Sequence, residues 1–109
     1  MYTLTGINLK NPTILAAGIL GTTGASLCRV AREGGAGAVV TKSIGPTPKT
    51  GHPNPSMVKL DYGFLNAMGL PNPSYPGFLQ ELEIAKEKAE VPVIASIFGG
   101  TADEFREVA

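Results

Sequence analysis

The chain has 109 residues, enough for one compact domain and too few for several. Nine basic and nine acidic residues cancel, with no basic run, so no electrostatic footprint exists for nucleic acid or an anionic membrane. Hydrophobic residues make up 43% and charged ones only 17%, a balance suited to a chain whose faces are covered by further protein.

The N-terminus, Met1 to Gly6, lacks the basic and apolar regions of a signal peptide. Leu4 to Leu9 alternates imperfectly around Gly6 and Asn8, which predicts a short hairpin or an edge strand. Pro12 then leads into Thr13-Ile14-Leu15-Ala16-Ala17, apolar on both faces as a buried parallel strand should be. The longest purely apolar stretch, Ile14 to Leu20, is far shorter than a membrane span. Gly18, Gly21 and Gly24 predict a flexible loop; they do not match the dinucleotide-binding fingerprint. Ala25 to Glu33 reads as a helix with Leu27, Val30 and Ala31 on one side, closed by Gly34-Gly35. Ala38-Val39-Val40-Thr41-Lys42 is a second buried strand, and strand, helix, strand makes a βαβ unit with parallel pairing.

Residues 45–77 hold seven of the nine prolines and five of the fourteen glycines, so no regular helix is expected there. Met57, Val58, Leu60, Tyr62, Phe64, Leu65, Met68 and Leu70 nevertheless argue for order, with a hairpin near 57–66 that covers a site. Phe78, Leu82, Ala85 and Ala89 recur at helical spacing, with Glu81 and Glu83 early and Lys86 and Lys88 late, as the helix dipole favours. Val91 to Phe98 is a third strand. Thr101-Ala102-Asp103-Glu104 is a capping box for a helix carrying Phe105 and Val108. Its end at Ala109, one or two turns in, suggests a chain cut short.

In parallel α/β architectures chemistry sits at the carboxyl ends of the strands, here Ala17-Gly18, Lys42-Ser43 and Ser96-Ile97. Lys42 there is either an ammonium facing a ligand or a lysine snorkelling into solvent. Asn66 offers a donor and an acceptor, suited to an imide-like ring edge, or is an ordinary turn residue. Gly18 either lets a ligand approach closely or only ends the strand. Cys28, the single cysteine, excludes an internal disulfide, makes a cysteine-based metal site a poor reading, and suits a packing role inside the first helix. His52 lies in a Gly/Pro loop without a second ligand at metal spacing and reads as a solvated residue. No metal site is expected.

Asn11-Pro12-Thr13-Ile14-Leu15-Ala16-Ala17-Gly18, Thr41-Lys42-Ser43 and Phe64-Leu65-Asn66-Ala67-Met68-Gly69-Leu70-Pro71-Asn72-Pro73, taken together, resemble the N-terminal part of dihydroorotate dehydrogenases. The resemblance runs from about Leu4 to the last residue. It implies an α/β fold forming the first three or so βα units of a TIM (β/α)8 barrel, with residues 1–109 part of a single FMN-binding domain. It implies oxidation of dihydroorotate to orotate in pyrimidine biosynthesis, with FMN as cofactor. Lys42, Asn66, Ala67, Met68, Gly69 and Leu70 would contact substrate, and Asn72 would add a further contact. Ala17, Gly18, Lys42, Ser43 and Ser96 would line the flavin, although many relatives carry serine at position 17 and asparagine at position 96. The catalytic base, a cysteine in a loop after the fourth strand, would fall beyond Ala109. The branch resembled is cytoplasmic and NAD-linked, pairing with an electron-transfer subunit that carries FAD and an iron–sulfur cluster, and its barrel subunit forms a homodimer. Two alternatives stay open: an FMN-dependent dihydropyrimidine dehydrogenase, and a barrel fragment without catalysis of its own.

Overall fold

A computed structural model describes residues 1–109. The chain opens with an antiparallel hairpin of β1 (Tyr2–Leu4) and β2 (Ile7–Leu9), turned by Thr5 and Gly6, both at positive φ. A three-stranded parallel sheet follows, built from β3 (Ile14–Leu15), β4 (Ala38–Val40) and a later strand, β7 (Val93–Ile94). Its order, β3-β4-β7, follows the chain without reversal. The register pairs Leu15 with Val39 and Val40 with Ile94.

Helix α1 (Gly24–Arg32) crosses between β3 and β4, and α2 (Tyr75–Lys88) between β4 and β7. Thr23 caps α1 by accepting the Ser26 N–H at 3.1 Å. Glu81 of α2 accepts the Gly24 N–H, placing a carboxylate on the positive end of α1. This corrects the expected dipole role of Glu81 and Glu83. Helix α2 begins at Tyr75, a turn earlier than its apolar spacing predicts, so both acids lie inside it. Pro76 and Gly77 look like breakers in the sequence, yet proline is tolerated where a first-turn N–H has no intrahelical partner.

The two helices close over one face of the sheet. Leu27 and Ala31 of α1, Val39 of β4, Ala85 of α2 and Ala89 at that helix's C-terminal cap form the fully buried cluster, flanked by Ala36 and by half-buried Leu15, Cys28 and Val93. Cys28 is therefore a packing residue, its Sγ–H pointing to the Ile84 carbonyl at 3.7 Å. Gly24 allows this close crossing, since a Cβ there would lie 2.5 Å from the Glu81 carbonyl oxygen.

The sheet is not apolar-covered on both faces as its sequence predicts. Ile14 is 38% exposed, and both outer strands, β3 and β7, carry a free edge. The molecule presents 7223 Å² of surface, against about 5,700 Å² expected for a self-contained protein of this mass. The ladders are also shorter than the apolar runs, two residues each in β3 and β7 and three in β4.

Between β4 and α2 the chain makes an ordered excursion. Strands β5 (Met57–Leu60) and β6 (Gly63–Asn66) form the expected hairpin, with Asn66 opposite Met57. The arm continues below it through bonds from Ala67 N–H to the Ser56 carbonyl and from His52 N–H to the Met68 carbonyl, and through a reciprocal pair between Lys49 and Asn72. The last helix, α3 (Ala102–Val108), has Thr101 as its cap, bonded to Glu104 N–H at 3.2 Å. Glu104 reaches back to Gly100 N–H, one residue earlier than an ordinary capping box.

Candidate functional site

Beyond Val40 the sheet changes register. Val40 pairs with Ile94, and the next pairing joins Ile44 to Ile97, so four steps on one strand match three on the other. The extra residue is a bulge over Thr41, Lys42 and Ser43, a device that re-aims side chains. Thr41 makes the bulge workable. It is fully buried, and its Oγ1 accepts the Ser96 N–H at 3.0 Å, replacing the missing ladder bond. The Lys42 N–H turns the other way, onto the Gly21 carbonyl at 2.9 Å.

The bulge brings Ser43 beside Ser96, their hydroxyls 2.9 Å apart. One proton serves that contact, leaving one free hydroxyl proton and open lone pairs for a ligand. Lys42 is half-buried and has no ion pair or side-chain hydrogen bond within the chain; the two salt bridges are Arg29–Glu33 and Arg106–Asp103, both far out in solvent. A charge kept at a strand end without a partner is poised for one from outside. Lys42 and Ser43 line a cavity of ≈ 40 Å³ with Thr22, Ile44, Asn72 and Phe78. That volume holds a water or so and forms the floor of the site.

Gly18 stands at the end of β3. Its φ of 164° is extended backbone open to any residue, and a Cβ there would meet nothing within 4 Å. Neither conformation nor packing within the chain demands glycine, so the space it leaves is available to a ligand. Ala17 beside it is exposed. The expected flexible loop after Gly18 is instead a closed 3₁₀ turn, Ile19–Gly21, tied by Ser26 Oγ to the Leu20 carbonyl at 2.6 Å.

The segment Asn66–Leu70 leaves the hairpin with Asn66 exposed and its amide unbonded. Asn66 and Ala67 line a shallow depression with Ser56, Met57 and Leu65, separate from the cavity beneath Lys42. Gly69 and Leu70 both adopt left-handed backbone, φ 78° and 55°. The N–H groups of Met68, Gly69 and Leu70 make no hydrogen bond within the chain, which leaves three successive donors free. Glycine at 69 is doubly required, since a Cβ would also lie 2.7 Å from the His52 ring. His52 is thus exposed but also the wall behind this loop.

Asn72, which also lines the cavity under Lys42, engages most of its amide inside the chain. Its Oδ1 accepts from Gly45 N–H at 3.1 Å and Ser74 N–H at 2.9 Å, and its Nδ2 donates to the Leu70 carbonyl at 2.9 Å. No group of three or more His, Cys, Asp or Glu side chains gathers to hold a metal. No helix is long and apolar enough to cross a membrane. Sequence reading found the strand-end residues; the bulge, Thr41 and Gly21 were missed, since each acts through register and close approach.

The fold and site together define an α/β protein that presents its polar groups at the carboxyl edge of a parallel sheet. The sequence model of the dihydroorotate dehydrogenase family matches residues 1–109, and the chain belongs to that family. It is 86% identical over 109 residues to the dihydroorotate dehydrogenase B (NAD(+)), catalytic subunit of Methanosarcina mazei, covering all of this chain and 35% of that one. It is 57% identical over 102 residues to the protein of the same name from Pyrococcus abyssi, covering 94% of this chain and 33% of that one. The chain thus spans about a third of the length of the curated relatives it matches. A crystal structure of DHODH from Eimeria tenella in complex with ferulenol superposes with a TM-score of 0.73 at 21% identity, over 96% of this chain and 31% of that one, and shares the fold.

Proposed function

We propose that these residues are the first three βα units of an FMN-binding (β/α)8 barrel, and that the whole protein oxidises dihydroorotate to orotate, acting on a CH–CH bond. The observation that carries the reading is the unpaired Lys42 ammonium on the β4 bulge, beside the Ser43–Ser96 hydroxyl pair. Sequential parallel strand order is what a barrel wall requires. The free edges of β3 and β7 and the excess surface support the remaining units as their cover.

The residues present fit FMN. Ala17 and Gly18 leave the approach to the sheet edge open, and the serine pair offers a donor and acceptors to a polar ring edge. A bound FMN would supply the capacity to accept a hydride, and with it the two electrons of the oxidation. Lys42 holds the substrate carboxylate or balances negative charge on the ring system. The Asn66 amide pairs with the pyrimidine edge, and the free N–H groups of Met68, Gly69 and Leu70 receive substrate oxygens. The base that removes the substrate proton is a cysteine outside these residues. The names of the relatives support an NAD-linked enzyme whose catalytic subunit works with a separate one; for that partner we propose an electron-transfer subunit carrying FAD and an iron–sulfur cluster, with the barrel subunit a homodimer in the cytoplasm.

The test is dihydroorotate-dependent bleaching of the flavin in the full-length protein; a protein that binds FMN but is not reduced by dihydroorotate overturns the reading. A second test isolates the loop. Asn66→Ala should weaken orotate binding by about tenfold, the equivalent of one or two hydrogen bonds, while FMN content stays near that of the parent. Titrating orotate against the flavin absorbance decides it, and an unchanged affinity would reduce Asn66 to a turn residue.

A further inference from the structure

The loop from Asn66 to Leu70 carries two successive left-handed residues, one of them Leu70, which has no glycine-like freedom. Such a backbone persists only where its surroundings hold it. On the hairpin side it is held by Ala67 N–H on the Ser56 carbonyl and His52 N–H on the Met68 carbonyl, both on an exposed arm. Toward the sheet it is tied by one side chain, Asn72, together with the Tyr75 N–H on the Gly45 carbonyl. Asn72, 9% exposed, joins three backbone segments through one amide. Its oxygen takes Gly45 N–H, on the exit from β4 just after Lys42-Ser43-Ile44, and Ser74 N–H at the entry to α2. Its nitrogen takes the Leu70 carbonyl.

From this we infer that Asn72 is a positioning residue: its amide ties the Leu70 carbonyl to the strand end bearing Lys42 and so sets the distance between the two halves of the substrate site. The inference rests on the proposed function for its ligand, but not for its geometry. Asparagine is needed because the task calls for an acceptor and a donor on one short, rigid side chain. The same buried amide also fixes the reciprocal Lys49–Asn72 backbone pair in register, so the arm and the strand end move as one.

Asn72→Asp separates the two functions in the full-length holoprotein. The carboxylate still accepts from Gly45 and Ser74 but has no proton for the Leu70 carbonyl, which it repels. The melting temperature should fall by a few degrees, for the lost bond and the buried charge, while FMN content stays near that of the parent. Amide exchange at His52 and Ala67 should quicken, and orotate, titrated against the flavin spectrum, should bind about tenfold more weakly. Parental exchange and parental orotate affinity together would overturn the inference. Should the variant not fold, exchange in the unsubstituted protein decides: the Gly45, Ser74 and His52 amides should open together, and independent opening of His52 would overturn it. Failure of the unsubstituted protein to bind orotate would instead sink the proposed function, leaving the exchange result to judge Asn72.

Discussion

Replacing Lys42 with Ala in the full-length protein should slow reduction of bound FMN by dihydroorotate by about 10²–10³-fold, the usual loss when one preorganised charge contact is removed from a closed site. The reason lies in how Lys42 is held. Its backbone N–H is fixed on the Gly21 carbonyl at 2.9 Å, and its neighbours Thr41 and Ser43 are both bonded to Ser96. The ammonium itself is bonded to nothing in the chain. The scaffold therefore fixes the backbone from which the side chain springs and leaves the ammonium for a partner outside the chain, where its position relative to the ligand is set in advance. Because the stem also lines the small cavity under the site, Ala removes packing as well as charge. Lys42→Met keeps most of that stem. Stopped-flow bleaching at saturating dihydroorotate should show both variants slowed to a similar degree. A Met variant that is reduced at the parental rate would show that the charge is dispensable and that Lys42 acts only as a wall.

Much of this site was legible in the sequence, and the parts that were not share a cause. Lys42, Ser43 and Ser96 stand at strand ends, and strand ends follow from apolar runs with β-branched residues. The hairpin at Met57–Asn66 was legible for the same reason. The bulge was not, since it exists only in the mismatch between Val40–Ile44 and Ile94–Ile97, two segments far apart in the chain. Asn72 looks like any turn asparagine until Gly45, Leu70 and Ser74 converge on it. The early start of α2 was hidden by Pro76 and Gly77, whose local preference argues for a loop while the Tyr75 N–H bond to the Gly45 carbonyl fixes where the helix begins. The burial of the strands was overestimated because an apolar run reports what a strand needs around it, and these residues leave Ile14 and the edges of β3 and β7 uncovered.

Two glycines three residues apart should respond to the same substitution in opposite ways. Gly21 is not at positive φ, so alanine there meets no backbone strain; the obstacle is space. A Cβ on Gly21 would lie 2.5 Å from the Lys42 nitrogen and 2.8 Å from both the Thr41 carbonyl carbon and the Val40 oxygen. All three are backbone atoms of β4 or the bulge, none of which can swing aside as a side-chain end could. Overpacking typically costs about 1–3 kcal/mol, and against fixed backbone the upper end or more is expected. Gly21→Ala should therefore lower the melting temperature by several degrees in the full-length protein, and it should push Lys42 off its bond to the Gly21 carbonyl. Gly18→Ala meets nothing within 4 Å and sits at an extended φ. It should melt like the parent yet retain less FMN after gel filtration, because its methyl group fills the space proposed for the cofactor. The pair is best read side by side, by thermal melt and by flavin absorbance per protein. A Gly18→Ala protein with full FMN content would remove that stretch from the cofactor site. A Gly21→Ala protein as stable as the parent would mean the bulge can shift, and with it the argument that the fold holds Lys42 in one place.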